Sequence, residues 1–440
     1  MKGIHVIITF FLVVGCNYTT QAQNLDKKKL DQYFQTLYDN NKFMGNVSIF
    51  HEDSEIYSKS VGYTDIETQI LNTDSTKSCV GSISKTLTAV MIFQAIESGN
   101  LSLNQTIDKY FPSIKNAEKI TIEHLLSHRS GIGNLSPGLE FMTWSAKTKE
   151  QMIEIITAQG SDFEPNTTAD YSNSNYVLLS YILESIYGKS YAEILRDNIS
   201  IPLSLENTYF GRKSIDINNY ESNSYIYSDK WNIQTVTEPS VTLGAGAIVS
   251  TPKDLNKFAD ALFKGILISE KNLSYMLAIR DDYGMGIFSV PYFSKQGYGH
   301  RGGVDGFNSM LIYLPEDKIS YAITSNGLNC NFTEIHATVL NSIYGQQFDI
   351  PIFEGLTIDS GVLDNYVGVY MSNQLPLEIT ISKENNSLLA QATGEPTFFL
   401  KTMSEHVFKF DKNDVTLMFS SENATMILIQ GEAVFYFEKE

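Results

Sequence analysis

The sequence predicts an α+β layer arrangement followed by a smaller all-β tail, and three observations carry that reading. Strand-like segments near residues 47–61 and 307–325 bracket a run of helical patterns, the order expected when strands and helices form separate layers of one domain. One of those helices is apolar almost all round, which belongs at the centre of a large domain. The last 86 or so residues break into short β-like segments at roughly ten-residue spacing, the pattern of a small barrel or sandwich. The chain has 440 residues, and single cores stop growing beyond about 250–300 residues, so more than one core is expected.

Taken in order, residues 1–23 read as an export leader. Lys2 supplies a charged start, and Val6 to Val14 gives an apolar run interrupted only by Thr9, too short for a membrane span, which takes about 20 residues. Thr20-Gln21-Ala22 ends in a small residue and favours ordinary cleavage before Gln23. Val13-Val14-Gly15-Cys16 instead resembles a lipoprotein box, which would put a lipid on Cys16. The mature chain, from residue 24, is expected to be exported: periplasmic or secreted, or tethered through that lipid, its one route to a membrane.

Leu25 to Lys42 has helical spacing at Leu30, Tyr33, Phe34 and Leu37. Val47–Phe50 and Ile56–Val61 read as two strands about a polar turn at Glu52-Asp53-Ser54. From Lys85 the apolar pattern Leu87, Ala89, Val90, Met91, Ile92, Phe93, Ala95, Ile96 runs to a stop at Gly99. Helical patterns follow near 149–158, 175–187 and 253–264, then strands at 307–314 and 319–325 around a turn at Pro315–Lys318. A boundary near Pro351–Leu356 separates a domain at 24–350 from the β tail at 355–440.

Composition narrows the function. Apolar residues make up 42% and charged residues 19%, enough for packed cores. A net charge of −18 argues against nucleic acid, whose phosphates demand clustered Lys and Arg. Three cysteines without a CxxC pair make neither a disulfide framework nor structural zinc. His124 and His128 stand four apart without the glutamate of HExxH, so a hydrogen-bonding role is expected rather than a metal site. Cys79 has no base beside it in sequence and reads as a packing thiol. No GxSxG elbow occurs, which disfavours an α/β-hydrolase.

Ser82-Ile83-Ser84-Lys85 opens the apolar helix. A spacing of three residues puts hydroxyl and amine on one helical face. A serine hydroxyl becomes a useful nucleophile only when a neighbouring base takes its proton, and a desolvated lysine can do so. By itself SxxK is weak, and Ser250-Thr251-Pro252-Lys253 repeats it; there Thr-Pro followed by Asp254 is better read as a helix start.

Company strengthens the first match. Tyr171-Ser172-Asn173 precedes a helical pattern, and His300-Arg301-Gly302-Gly303 precedes the strand pair at 307–325. Leu125–Ile132, Gly246–Thr251, Tyr283–Gly286 and Gly299–Phe307 are further matching stretches. In this order the motifs resemble serine β-lactamases and penicillin-binding proteins, in the class C β-lactamase, D-alanyl-D-alanine carboxypeptidase and esterase branch, over roughly residues 30–345. The resemblance implies a β-lactamase/transpeptidase-like fold, an antiparallel sheet flanked by helices with an all-helical subdomain. It implies a serine hydrolase acting through an acyl-enzyme on D-amino-acid peptides, small esters or β-lactams, without cofactor or metal; the alternative is a penicillin- or peptidoglycan-binding protein that does not hydrolyse. Ser82 would be the nucleophile, and Lys85 and Tyr171 would share its proton, with Tyr171 the base in deacylation. Asn173, His300, Arg301, Gly302 and Gly303 would bind substrate, and the backbone N–H groups of Ser82 and Gly303 would form the oxyanion hole. His300 stands where lactamases usually carry the lysine of Lys-Thr-Gly, which weighs against efficient β-lactam hydrolysis. Arg301 either compensates by gripping a carboxylate or points off the strand's other face. Asn166 replaces the family's usual Gly after Pro165, at little cost. The aromatics Tyr209, Phe210, Tyr220, Tyr225, Tyr227 and Trp231 read as packing, with a wall of the substrate cleft as the functional alternative.

Overall fold

The computed structural model describes residues 25–135, 145–353, 358–410 and 414–440; the leader and Cys16 lie outside them. Helix α1 (Lys27–Asp39) is amphipathic and buries Leu30, Tyr33, Phe34 and Leu37. It leads into strands β1 (Phe43–His51) and β2 (Ser54–Val61). Helix α2 (Ser84–Glu97) is buried except at Gln94, Ile96 and Glu97, as its apolar pattern requires. Further on come α3 (Asn173–Tyr187), α4 (Pro252–Phe263), β3 (Phe288–Tyr292), β4 (Lys295–Val304), β5 (Phe307–Leu314), β6 (Ile319–Leu328) and α5 (Phe332–Ile343). At α4 Thr251 caps the helix by accepting from the Asp254 N–H, with Pro252 in the first turn, so the second SxxK match is the helix start that its sequence suggested.

The main path of the eight-stranded central sheet runs β3-β4-β5-β6-β1-β2, antiparallel along its length, and the short strand Tyr225–Tyr227 joins β6 in parallel at Gly327. Because side chains alternate along a strand, its two faces serve different cores. Leu311, Tyr313 and Ala322 face the larger core, which holds α2, α3 and α4. Met310, Ile312, Leu314, Tyr321 and Ile323 face α1 and α5. Strand β4 escapes a pattern reading because Gly297, Gly299, Gly302 and Gly303 dilute the apolar alternation; glycine in a strand marks close approach of another backbone.

The tail is one nine-stranded antiparallel sheet that nearly closes on itself. Its terminal strands, Phe398–Phe399 and Lys401–Thr402, are consecutive in the chain, and the Leu400 N–H between them donates to Leu388 O at 2.9 Å. The interior packs Tyr366, Tyr370, Leu388, Phe408, Phe419 and Phe437. Met418, Ile427, Ile429 and Tyr436 instead join Ile335, Val339 and Ile343 of α5 in the core on the far side of the central sheet. The tail strands are therefore apolar on both faces where they dock, and the near-continuous runs Leu417-Met418-Phe419 and Met426–Ile429 were the available signal. Among the described residues no helix is long and apolar enough to cross a membrane.

Candidate active site

Ser82 sits in a single 3-10 turn, Gly81–Ile83, and α2 begins two residues later at Ser84. The serine thus precedes the helix instead of opening it. The three-residue spacing still does what it promises: Lys85 Nζ donates to Ser82 Oγ at 2.9 Å. The same amine donates to Asn173 Oδ1 at 2.8 Å and to the Ala245 carbonyl at 2.7 Å. Lys85 has no solvent exposure, and burial alone drives its pKa well below the ordinary 10.5, since the charged form loses its hydration. Ser82 and Tyr171 are only partly covered and line a common cleft.

Tyr171 lies between the helical side and the sheet. Its hydroxyl faces the Ser82 side chain, and Lys85 Nζ is 4.8 Å from its ring centre. Burial pushes the phenol above its normal pKa, and the contact with Ser82 offsets part of that rise. The residue that fixes this segment is His128, which the sequence placed in a matching stretch with a hydrogen-bonding role. His128 is buried; its Nδ1 accepts from the Ser172 N–H at 3.1 Å and its carbonyl from the Asp170 N–H at 3.0 Å. Its ring lies 4.5 Å from that of Tyr171. The hydrogen-bonding role expected for His128 is what the geometry displays. Asn166 adopts a left-handed φ of 66°, and Arg129 Nε donates to its side chain at 2.9 Å.

Strand β4 closes the other side. Gly81 has φ +50°, and a Cβ there would lie 2.8 Å from Gly303 N; a Cβ on Gly302 would lie 2.0 Å from the Val80 carbonyl oxygen. Ser309 Oγ donates to that same carbonyl at 2.7 Å. The glycines therefore let the strand backbone lie directly against the turn that carries Ser82, bringing the amide of Gly303 beside it.

His300 and Arg301 part company. His300 pairs with Leu311 across β5, while Arg301 pairs with Met310, so the two side chains leave on opposite faces. His300 is buried with its ring 4.7 Å from Phe288 and 6.4 Å from Tyr171. Burial, helped by the charge of Lys85, lowers its pKa to about 3. Its Nδ1 lies 2.5 Å from the Arg301 carbonyl oxygen, which assigns the proton to Nδ1 and leaves Nε2 as an acceptor. Arg301 faces the tail: its guanidinium stands 5.8 Å from the Phe332 ring and 3.6 Å from the carboxylate of Glu432. Of the anticipated site residues, Ser82, Lys85, Tyr171, Asn173, His300, Gly302 and Gly303 come together. Arg301 lines the same cleft from the other face of β4, because successive residues of a strand point opposite ways.

The cleft measures about 820 Å³, and its far wall is the tail strand segment Glu432–Tyr436. The aromatics proposed as an alternative wall are absent from the described residues lining it. Tyr225 instead donates to Asp65 at 3.0 Å, and Tyr209 is hydrogen-bonded to Glu221. Cys79 donates to the Gly246 carbonyl at 3.3 Å, and burial pushes its thiol up to about 12, an inert packing group.

Fold and motif order together define a class, and the comparisons agree. Residues 30–342 match the Beta-lactamase family, and the chain belongs to it: an enzyme of the serine hydrolase type. It is 27% identical over 426 residues to a penicillin-binding protein of Bacillus subtilis strain 168, covering 87% of this chain and 93% of that one. It is 28% identical over 286 residues to the teichoic acid D-alanine hydrolase of Staphylococcus aureus, covering 63% of this chain and 69% of that one. The crystal structure of a D-amino acid amidase from Ochrobactrum anthropi SV3 shares the fold, with a TM-score of 0.66 at 24% identity over 74% of this chain and 99% of that chain.

Proposed function

We propose that this protein hydrolyses amide or ester bonds of D-amino-acid derivatives through an acyl-enzyme on Ser82, in the class C β-lactamase-related branch. One observation carries the reading: a fully buried amine held 2.9 Å from a cleft-facing serine hydroxyl. Deprotonated, Lys85 keeps two N–H donors for Asn173 and Ala245 and turns its lone pair to the Ser82 O–H. It then takes the hydroxyl proton as Ser82 Oγ bonds to the substrate carbonyl carbon. The oxyanion that forms is met by the N–H groups of Ser82 and Gly303. Tyr171, a protonated phenol at neutral pH, passes its proton to the departing amine or alkoxide and is recharged from Lys85. Water then attacks the acyl carbon; Tyr171 and Lys85 take its proton and return it to Ser82 Oγ as the bond between that oxygen and the acyl carbon breaks. The D-amino-acid preference draws on the activity that the D-alanine hydrolase relative is named for. Neutral His300 in place of a lysine cation weighs against β-lactams as preferred substrates. The leader motivates export, and the substrate is a small molecule or peptide.

The test combines labelling with turnover. A fluorophosphonate and a labelled penicillin are incubated with wild type and Ser82→Ala, beside a panel of D-alanyl dipeptides, D-alaninamide and p-nitrophenyl esters. Labelling confined to wild type, with turnover of the D-amino-acid substrates, is the expected result. A stable penicillin label without turnover would instead favour the non-hydrolytic binding protein, and no label at Ser82 would overturn both readings.

A further inference from the structure

Strand β4 is covered by β3 only as far as Gly299, which pairs with Phe288. Beyond that point, at residues 300–304, this edge has no strand partner among the described residues and opens into the cleft. The cleft consequently wraps around the edge. On the near face it is lined by Ser82, Tyr171 and His300, and on the far face by Arg301, Thr333, His336 and the tail segment from Glu432. Among the described residues lining it, the charged side chains are Asp282, Arg301 and Glu432, because burial keeps His300 and His336 neutral. Arg301 is therefore the cation a substrate carboxylate would seek, and Glu432 already stands 3.6 Å from it.

We infer that Glu432 of the tail sets the charge preference of the cleft: by occupying Arg301 it disfavours substrates ending in a free carboxylate relative to their neutral amides. The inference rests on the hydrolytic reading above and deepens it. Glu432 is 86% exposed and Arg301 34% exposed, so the pair is solvated and its effect is a modest bias, on the order of fivefold. Its direction is fixed by sign. A carboxylate approaching Arg301 must displace or face Glu432, whereas an amide meets no such repulsion. The β tail is then a selecting element of the active site, acting on substrate choice through one carboxylate.

The full-length enzyme is assayed with D-alanyl-D-alanine and D-alanyl-D-alaninamide, which differ in the terminal carboxylate alone. Glu432→Gln is expected to raise the carboxylate-to-amide ratio of kcat/KM by about fivefold. In the double variant with Arg301→Gln, the ratio should match that of Arg301→Gln alone. Glu422→Gln, an exposed tail acid outside the cleft, controls for a general change of charge. A ratio in Glu432→Gln no different from that in Glu422→Gln overturns the inference, as does a rise that persists without Arg301. Both outcomes leave the hydrolytic reading intact, provided the wild type turns over either substrate. Turnover of neither would overturn both.

Discussion

Lys85 has three hydrogen-bond acceptors within 2.9 Å and no contact with solvent. Those facts pull in opposite directions: the acceptors suit an ammonium, and burial opposes one. Burial dominates and lowers the pKa, so the amine can act as a base near neutrality. Activity should rise with pH as Lys85 loses its proton, on a limb lying well below 10.5, and the limb should vanish in Lys85→Ala. That variant should lose on the order of 10²–10⁴ in kcat, the usual share of a general base. His300 should contribute no inflection near pH 6.5, because it stays neutral down to about pH 3. A pH series of kcat/KM on wild type, Lys85→Ala and His300→Asn checks all three statements.

At the scale of elements, the seam between β4 and the Gly81–Ile83 turn decides whether the oxyanion groups converge. Gly302→Ala places a carbon 2.0 Å from the Val80 carbonyl oxygen and 2.4 Å from Ser309 Oγ, so strand and turn must separate. The expected result is a fall in kcat of roughly 10²–10³, the scale of losing one oxyanion donor. Circular dichroism should show the secondary structure retained, and an unchanged kcat would refute the seam's role. This element was also the hardest to read from sequence. Four glycines hide a strand that a pattern of apolar residues would have revealed, and their purpose emerges only when the approaching backbone is known.

Across the whole molecule, His128, His300 and His336 are all buried and all held below their ordinary pKa. Burial is the main cause for each; Lys85 adds to it for His128 and His300, and Arg301 for His336. The unfolded chain protonates them below about pH 6.5 while the folded chain does not, so the unfolded state binds more protons as pH falls. Stability should therefore decline from about pH 6.5 downward, by up to about 1.4 kcal/mol per pH unit for each histidine, until the folded-state values near 3 are reached for His300 and His336. Denaturation midpoints between pH 7 and 4 should trace this slope. His336→Asn should flatten it; an equal slope in that variant would exclude His336 as a contributor.

The sequence by itself determined the local parts: the Ser82–Lys85 spacing, the buried helix behind it, the tail strands and the order of motifs that places the chain in its family. These depend on periods of two to four residues and on short-range chemistry, which a linear reading contains. Tertiary structure alone decided that His128 clamps Tyr171, that the Ala245 carbonyl holds Lys85, and that Arg301 faces Glu432 of the tail. It also made the tail part of the cleft, where the sequence showed only a separate all-β segment. The physical reason is distance along the chain. Which edge of β4 stays open, and what packs across it, follows from contacts between segments more than 100 residues apart, and no local pattern records them.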